Sequence, residues 1–224
     1  MKSEAIVELG KPLQTIESET PEPKGKEVLL KITHSGVCHS DVHIHDGYFD
    51  LGGGNKLPVG QMLNLPHTMG HEIEGEVAAI GPDVTDVEIG ANVVAYPWIG
   101  CGECATCKAG DEHYCNAPRQ LGIQLPGGFA DYCIVPDSKY VLDYTGIRPG
   151  LAATYMCSGL TAFGALKKFV NISDDDHILI MGLGGVGMMG LQFARALFNC
   201  KILAADIDPN KLQAAKGAGA DEVY

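Results

Sequence analysis

Four cysteines fall within the fifteen residues CGECATCKAGDEHYC, at Cys101, Cys104, Cys107 and Cys115. Their spacing, C-x2-C-x2-C-x7-C, together with Gly102 and Gly110, suits a tetrahedral zinc site whose shell is filled by four thiolates. Such a site holds a lobe in shape and leaves no position for a substrate. A ferredoxin-type run would carry its fourth cysteine sooner and a proline after it, whereas Asn116 follows Cys115. A redox C-x-x-C pair would not need the other two thiols. Zinc is the favoured reading, with iron–sulfur, disulfide and redox uses left open, and any reactive metal must be sought elsewhere.

Three further stretches offer ligands: GVCHSDVH (36–43), GHEIEGEV (70–77) and CSGLTAFG (157–164). Cys38, His71 and Cys157 would together make a Cys2His set with an open fourth position, the pattern of a catalytic zinc. Taken singly, Cys38 and Cys157 read as buried thiols and His71 as a satisfied loop histidine. A rival pair, His67 and His71, has the spacing of a zincin helix. Pro66 and Gly70 oppose a helix there, and the glutamate that should follow the first histidine is missing.

A second kind of chemistry is carried by GLGGVG at 182–187. Gly182, Gly184 and Gly187 have the G-x-G-x-x-G spacing, with Gly185 and Val186 between them. The motif follows the apolar run HILIM (177–181) and opens a segment of helical character, so its backbone can approach a pyrophosphate at a helix N-terminus. Asp206 lies 19 residues past Gly187 at the end of the next apolar run, where a carboxylate binds the adenosine ribose. That carboxylate would repel a 2′-phosphate, which favours NAD over NADP.

The elements that must hold these residues change character along the chain. Up to about residue 145, short apolar runs alternate with Gly, Pro and Asp: EVLLKIT (27–33), EGEVAAIG (74–81), ANVVAYP (91–97) and FADYCIVP (129–136) predict strands of a mainly β domain, residues 1–150. Alternation of Val28, Leu30 and Ile32 predicts one buried face, and the stretch 46–68 reads as a long loop. From 151 the order helix (151–170), strand (177–181), helix (187–198), strand (201–206), helix (209–219) predicts a parallel sheet, with a third strand starting at Asp221. The expected fold class is therefore α/β with a separate mainly β domain.

Composition sets limits on partners. With 46% hydrophobic residues the 224-residue chain can bury a core, and a net charge of −12 disfavours nucleic acid and anionic membrane surfaces. Residues 178–194 carry no charge, but their five glycines suit a turn better than a membrane span. No signal-peptide core is visible in MKSEAIVELGKPLQ, so a cytoplasmic setting with reduced thiols is expected. Cys133 and Cys200 read as small core residues, and His34, His45, His113 and His177 join no motif.

In GVCHSDVH, GHEIEGEV, the four-cysteine lobe, CSGLTAFG, and GLGGVG with Asp206, the chain resembles the zinc-dependent alcohol dehydrogenases of the medium-chain dehydrogenase/reductase family. The resemblance runs from the first strand to the last residue. It implies a GroES-like β domain with a structural-zinc lobe (about 98–118), the first half of a doubly wound Rossmann sheet (151–224), and an active site in the cleft between the domains. It implies two zinc ions per chain: a catalytic one on Cys38, His71 and Cys157 with Glu72 close behind, and a structural one on Cys101, Cys104, Cys107 and Cys115. Asp41 resembles the carboxylate that orients the histidine ligand, while Ser40 and His43 resemble a proton relay through the cofactor ribose. His39 resembles a pyrophosphate contact, Thr161 a nicotinamide contact and Lys211 a ribose contact. Trp98 and Tyr48 are candidates for the substrate pocket, an ordinary buried aromatic being the equal alternative.

The implied reaction interconverts a small-molecule alcohol with an aldehyde or ketone by hydride transfer to or from NAD, zinc acidifying the alcohol oxygen. A homo-oligomer, dimer or tetramer, is expected of the full-length enzyme. Since relatives continue past residue 224, a partial sequence of a larger enzyme is expected, with HILIM as an unpaired apolar edge. The alternative is a non-catalytic zinc-binding fragment.

Overall fold

The computed structural model describes residues 1–224, which divide into two compact units, Met1–Met156 and Cys157–Tyr224. In the first unit, β1 (Lys2–Ile6), β2 (Gln14–Glu17), β3 (Val28–Gly36), α1 (His39–Asp46), β4 (Tyr48–Gly52), β5 (Asn55–Pro58), β6 (His67–Thr68), β7 (Glu72–Ile80), β8 (Asn92–Ala95), α2 (Ala105–Lys108), β9 (Tyr132–Val135), β10 (Val141–Asp143) and α3 (Ala152–Thr154) follow in order. The main sheet is antiparallel with strand order β10-β8-β7-β3-β9, and a smaller sheet has the order β2-β1-β6.

Period-2 apolar patterning accounts for the main sheet. Val28 and Leu30 on β3, Ile73 and Val77 on β7, Val93 and Ala95 on β8, and Cys133 and Val135 on β9 project into one core. Leu29 is buried too, so this end of β3 is covered on both faces rather than one. Register shifts at Leu29/Leu30 and at Ile32/His34 mark bulges in the β3–β7 ladder, beyond which Gly36 pairs with Glu72. Gly75 lies so close to β3 that a Cβ would strike the Lys31 carbonyl, which makes this crossing a glycine position.

In the first unit one element was not anticipated from the sequence and one stretch departs from the expectation. The ligand stretch after Gly36 forms α1, an eight-residue helix carried by its ends: Asp41 accepts from the Cys38 N–H at 2.8 Å, and Gly47 closes the helix in the left-handed region at φ 81°. The stretch 46–68 is not a structureless loop, since β4 and β5 form a hairpin across it and a 3-10 turn spans Gly60–Met62. The hairpin escaped detection because β5 is exposed throughout and so shows no alternation.

The second unit contains α4 (Leu160–Leu166), β11 (His177–Met181), α5 (Gly185–Leu197), β12 (Lys201–Ala205), α6 (Pro209–Gly217) and β13 (Glu222–Val223). The strands form a parallel sheet in the order β11-β12-β13, and its core gathers Ile178, Leu191, Ala194, Ile202, Ala204 and Ala215. β11 pairs only with β12 and leaves Leu179 49% and Met181 78% exposed, the apolar edge expected of HILIM. The helix expected over 151–170 is broken into α3, a π-helical turn at Tyr155–Gly159 and α4. The unit boundary falls at Met156 rather than Gly150 because α3 packs on β3, β7 and β8. No helix is long and apolar enough to cross a membrane; residues 178–194 are a strand, a glycine turn and most of α5.

At the end of α1, both ring nitrogens of His45 face acceptors, Asp46 Oδ1 at 2.9 Å and the Lys11 carbonyl at 2.8 Å. The hydrogen bond to Asp46, then that to Lys11, raises the imidazolium pKa. A raised folded pKa contributes stability that is fully present below the unfolded value of about 6.5 and is lost as pH rises through the folded value. His45→Ala is therefore expected to destabilise the protein more at pH 6 than at pH 9, as measured by urea denaturation at both pH values.

Candidate functional site

The cysteine lobe is built from α2 and the turns on either side of it. Cys101 Sγ lies 3.9 Å from Cys107 Sγ, and Cys104 Sγ lies 3.5 Å from Cys107 Sγ and 3.8 Å from Cys115 Sγ. A tetrahedron of sulfurs about 2.3 Å from a central zinc has edges of about 3.8 Å. Disulfide sulfurs would stand about 2.05 Å apart, and none of the eight cysteines is in a disulfide. Backbone N–H groups aim at the sulfurs: Cys101 N donates to Cys115 Sγ, Cys104 N to Cys101 Sγ, Cys107 N to Cys104 Sγ and Ala117 N to Cys115 Sγ, at 3.3 to 3.4 Å. The N–H groups of Glu103 and Cys104 pull the Cys101 thiol down to about 6, whereas burial pushes Cys107 up to about 12. Gly100 is required beside them, since a Cβ there would fall on Cys107 Sγ. Four converging thiols with N–H donors fit a thiophilic cation, and zinc would be held here by these four residues.

A second cluster brings together Cys38, His71, Glu72 and Cys157, whose ligand atoms all lie within 4.8 Å of one another. Cys38 caps α1, His71 and Glu72 enter β7, and Cys157 lies in the π-helical turn through which the first unit passes into the second. Asp41 is 2% exposed and organises two of the ligands: Oδ2 accepts from the Cys38 N–H and Oδ1 lies 3.2 Å from His71 Nδ1. An ionised carboxylate only accepts, so His71 carries its proton on Nδ1 and keeps Nε2 for a metal. Burial lowers the His71 imidazolium pKa, but the bonds to Asp41 and Cys38 outweigh it and hold it up at about 10, so a metal would take Nε2 by displacing its proton. Gly36 makes room for Glu72, whose carboxylate occupies the space a Cβ would take. Two sulfurs, one nitrogen and a carboxylate are a donor set that fits zinc.

Around this cluster the structure places several other expected residues. Ser40 and His43 lie three apart on α1 and so share a face, and the His43 ring sits 4.5 Å from that of His39 and 4.7 Å from that of Phe49. Trp98 stands 5.7 Å from the His71 ring and donates from Nε1 to the Met156 carbonyl at 2.8 Å, one residue before Cys157. Tyr48, at the start of β4, lies under the Lys56 ammonium at 3.6 Å. His67 sits in β6 with Nε2 3.1 Å from the Gly122 carbonyl oxygen, so no helix pairs it with His71 and the zincin alternative falls.

In the second unit the three glycines at the G-x-G-x-x-G positions, Gly182, Gly184 and Gly187, differ in what they do. Gly182 has φ 83°, and a Cβ on Gly187 would fall on the Gly182 carbonyl oxygen. A Cβ on Gly184 would meet nothing within 4 Å, so the backbone there is open to close approach. Gly185 and Val186 are exposed in the first turn of α5. Asp206 Oδ2 accepts from Leu183 N at 2.6 Å and Oδ1 from Asp208 N at 2.9 Å, and these bonds hold its carboxyl below the usual range. Lys211 Nζ is 3.7 Å from Asp206, and Thr161 is exposed on α4.

Residues 24–145 match the sequence profile of the alcohol dehydrogenase GroES-like domain, more than half of the chain. The chain belongs to the medium-chain alcohol dehydrogenase family. Among curated relatives, an NAD-dependent alcohol dehydrogenase of Saccharolobus solfataricus is 40% identical over 100% of this chain and 63% of its own length. Among solved structures, a cobalt- and zinc-bound thermostable alcohol dehydrogenase from Pyrobaculum aerophilum superposes with a TM-score of 0.84 at 31% identity, over 100% of this chain and 65% of that one. The D-arabinose dehydrogenase from Sulfolobus solfataricus gives 0.85 at 27% identity, over 100% and 67%. The chain thus spans about 63% of the length of the curated medium-chain alcohol dehydrogenases it matches. Two participants were missed by sequence reasoning. Gly36, which accommodates Glu72, gave no signal, and the N–H donors to sulfur follow only from the folded turns. Cys107→Ser is expected to remove one metal equivalent, leave the other, and expose the lobe between 98 and 118 to protease, as checked by metal analysis and limited proteolysis.

Proposed function

We propose that the protein contributes the metal and NAD sites of a zinc-dependent alcohol dehydrogenase acting on a small-molecule alcohol or its aldehyde or ketone. The observation that carries this reading is the pair of unlike donor sets: four thiols with N–H donors at one cluster, and Cys38, His71 and Cys157 around an Asp41-oriented histidine at the other. Cys101, Cys104, Cys107 and Cys115 would hold a structural zinc, and Cys38, His71 and Cys157, with Glu72 adjacent, a catalytic one. When bound, zinc supplies a Lewis acid that makes an alcohol proton labile near neutral pH, and NAD supplies the hydride acceptor.

The residues of the chain have separate tasks in this scheme. Asp41 fixes the His71 tautomer and the start of α1 with one carboxylate. Ser40 would accept the substrate proton at its hydroxyl while giving up its own towards the cofactor ribose, and His43, one turn on, would hold the proton that leaves for solvent. Trp98, beside His71, presents an apolar wall to the substrate, with Tyr48 the further candidate. His39 and the N–H groups of Gly184 to Gly187 receive the pyrophosphate, Thr161 the nicotinamide end, and Asp206 with Lys211 the adenosine ribose. The Asp206 carboxylate, held ionised by two N–H groups, disfavours a 2′-phosphate and so selects NAD.

Cys38→Ala and His71→Ala are expected to abolish alcohol-dependent NADH formation by the full-length enzyme, measured at 340 nm across primary, secondary and aromatic alcohols. Undiminished turnover by metal-stripped enzyme would contradict the proposal.

A further inference from the structure

On β7, Glu72, Glu74 and Glu76 project to the face opposite the Ile73 and Val77 core side chains, yet Glu74 is 1% exposed. No role in the proposed chemistry uses it. Its carboxylate nevertheless collects donors from two other segments: Gly150 N–H lies 3.0 Å from both oxygens, Tyr144 OH 3.2 Å from Oε1, and His34 Nδ1 3.1 Å from Oε1. Gly150 adopts φ 80°, and a Cβ there would press on the His34 ring at 3.3 Å. The His34 ring therefore roofs the Gly150 amide while Glu74 grips it from below. Two residues later the chain enters α3, which packs on β3 and β7 and continues directly into the turn that carries Cys157.

We infer that Glu74 is a positioning residue for the Cys38–His71–Cys157 metal site, anchoring the Tyr144–Gly150 segment so that Cys157 arrives beside His71. The inference rests on reading that cluster as a metal site. Geometry makes the coupling direct: Glu72 and Glu74 are two residues apart on one strand face, so β7 supplies both a member of the cluster and the anchor of the segment that delivers its last thiol. The anchor is polar for a physical reason. The Glu74 carboxylate is itself buried and needs donors, and it can accept from Gly150 N–H, Tyr144 and His34 together, which an amide cannot.

The test uses the full chain loaded with cobalt(II), whose ligand-field bands report tetrahedral sites, with a chromophoric chelator as competitor. In Glu74→Gln the amide NH2 faces a donor. Affinity at the Cys38–His71–Cys157 site is expected to fall by about tenfold or more, in the range typical of lost outer-sphere support. The four-thiolate site serves as an internal control and should be unchanged. Tyr144→Phe removes one donor and should produce a smaller loss at the same site, and it decides on the same criterion if Glu74→Gln does not fold. Equal weakening of both sites, or of neither, overturns the inference, because a merely structural role would not distinguish them. A parent protein that takes up metal only at the thiolate lobe overturns the functional reading itself.

Discussion

The pairing of β3 with β7 is the constraint on which the rest depends. Two bulges shift its register so that Gly36 faces Glu72, and the missing Cβ at Gly36 is what lets a carboxylate lie against the strand. Cys38 follows two residues beyond one partner, and His71 immediately precedes the other. The two ligands are thus brought together by a ladder of backbone hydrogen bonds rather than by any local motif. Asp41 then locks the arrangement, since one buried carboxylate binds both the Cys38 amide and His71 Nδ1. A buried charge so placed is stable only while both partners remain, which couples the start of α1 to the orientation of the imidazole.

The two clusters differ in how much the fold must contribute. In the cysteine lobe all four ligands lie within one short segment, and tight turns with N–H donors suffice to converge them. The second cluster draws on three distant segments and needs the β3–β7 ladder, the α1 cap and the polar anchoring of the chain before α3. Trp98 adds a fourth restraint by holding the Met156 carbonyl next to Cys157. A site assembled this way can keep an open position, because no single turn has to wrap the ion.

Legibility in the sequence followed the same division. The cysteine lobe and the glycine turn could be read because their chemistry is encoded in local spacing, and the strands at 28–36, 72–80 and 201–205 because their apolar residues keep a period. Cys38, His71 and Cys157 could be joined only through family resemblance, as nothing in their separation fixes a distance. Helix α1 was hidden since HSDVHIHD has little apolar periodicity and its stability lies in Asp41 and Gly47. Glu74 was hidden for the opposite reason: in EIEGE, alternation assigns the glutamates to a solvent face, whereas Glu72 and Glu74 are in fact buried.

The central claim is that one chain holds two zinc ions in unlike donor sets. Zinc-edge X-ray absorption of the metal-loaded protein tests it most directly, because it averages the ligand shells of both ions. The account predicts, per zinc, about three sulfurs near 2.3 Å and at least one nitrogen or oxygen near 2.0–2.1 Å. A shell of four sulfurs with no light-atom component would contradict it, leaving the cysteine lobe as the sole zinc site.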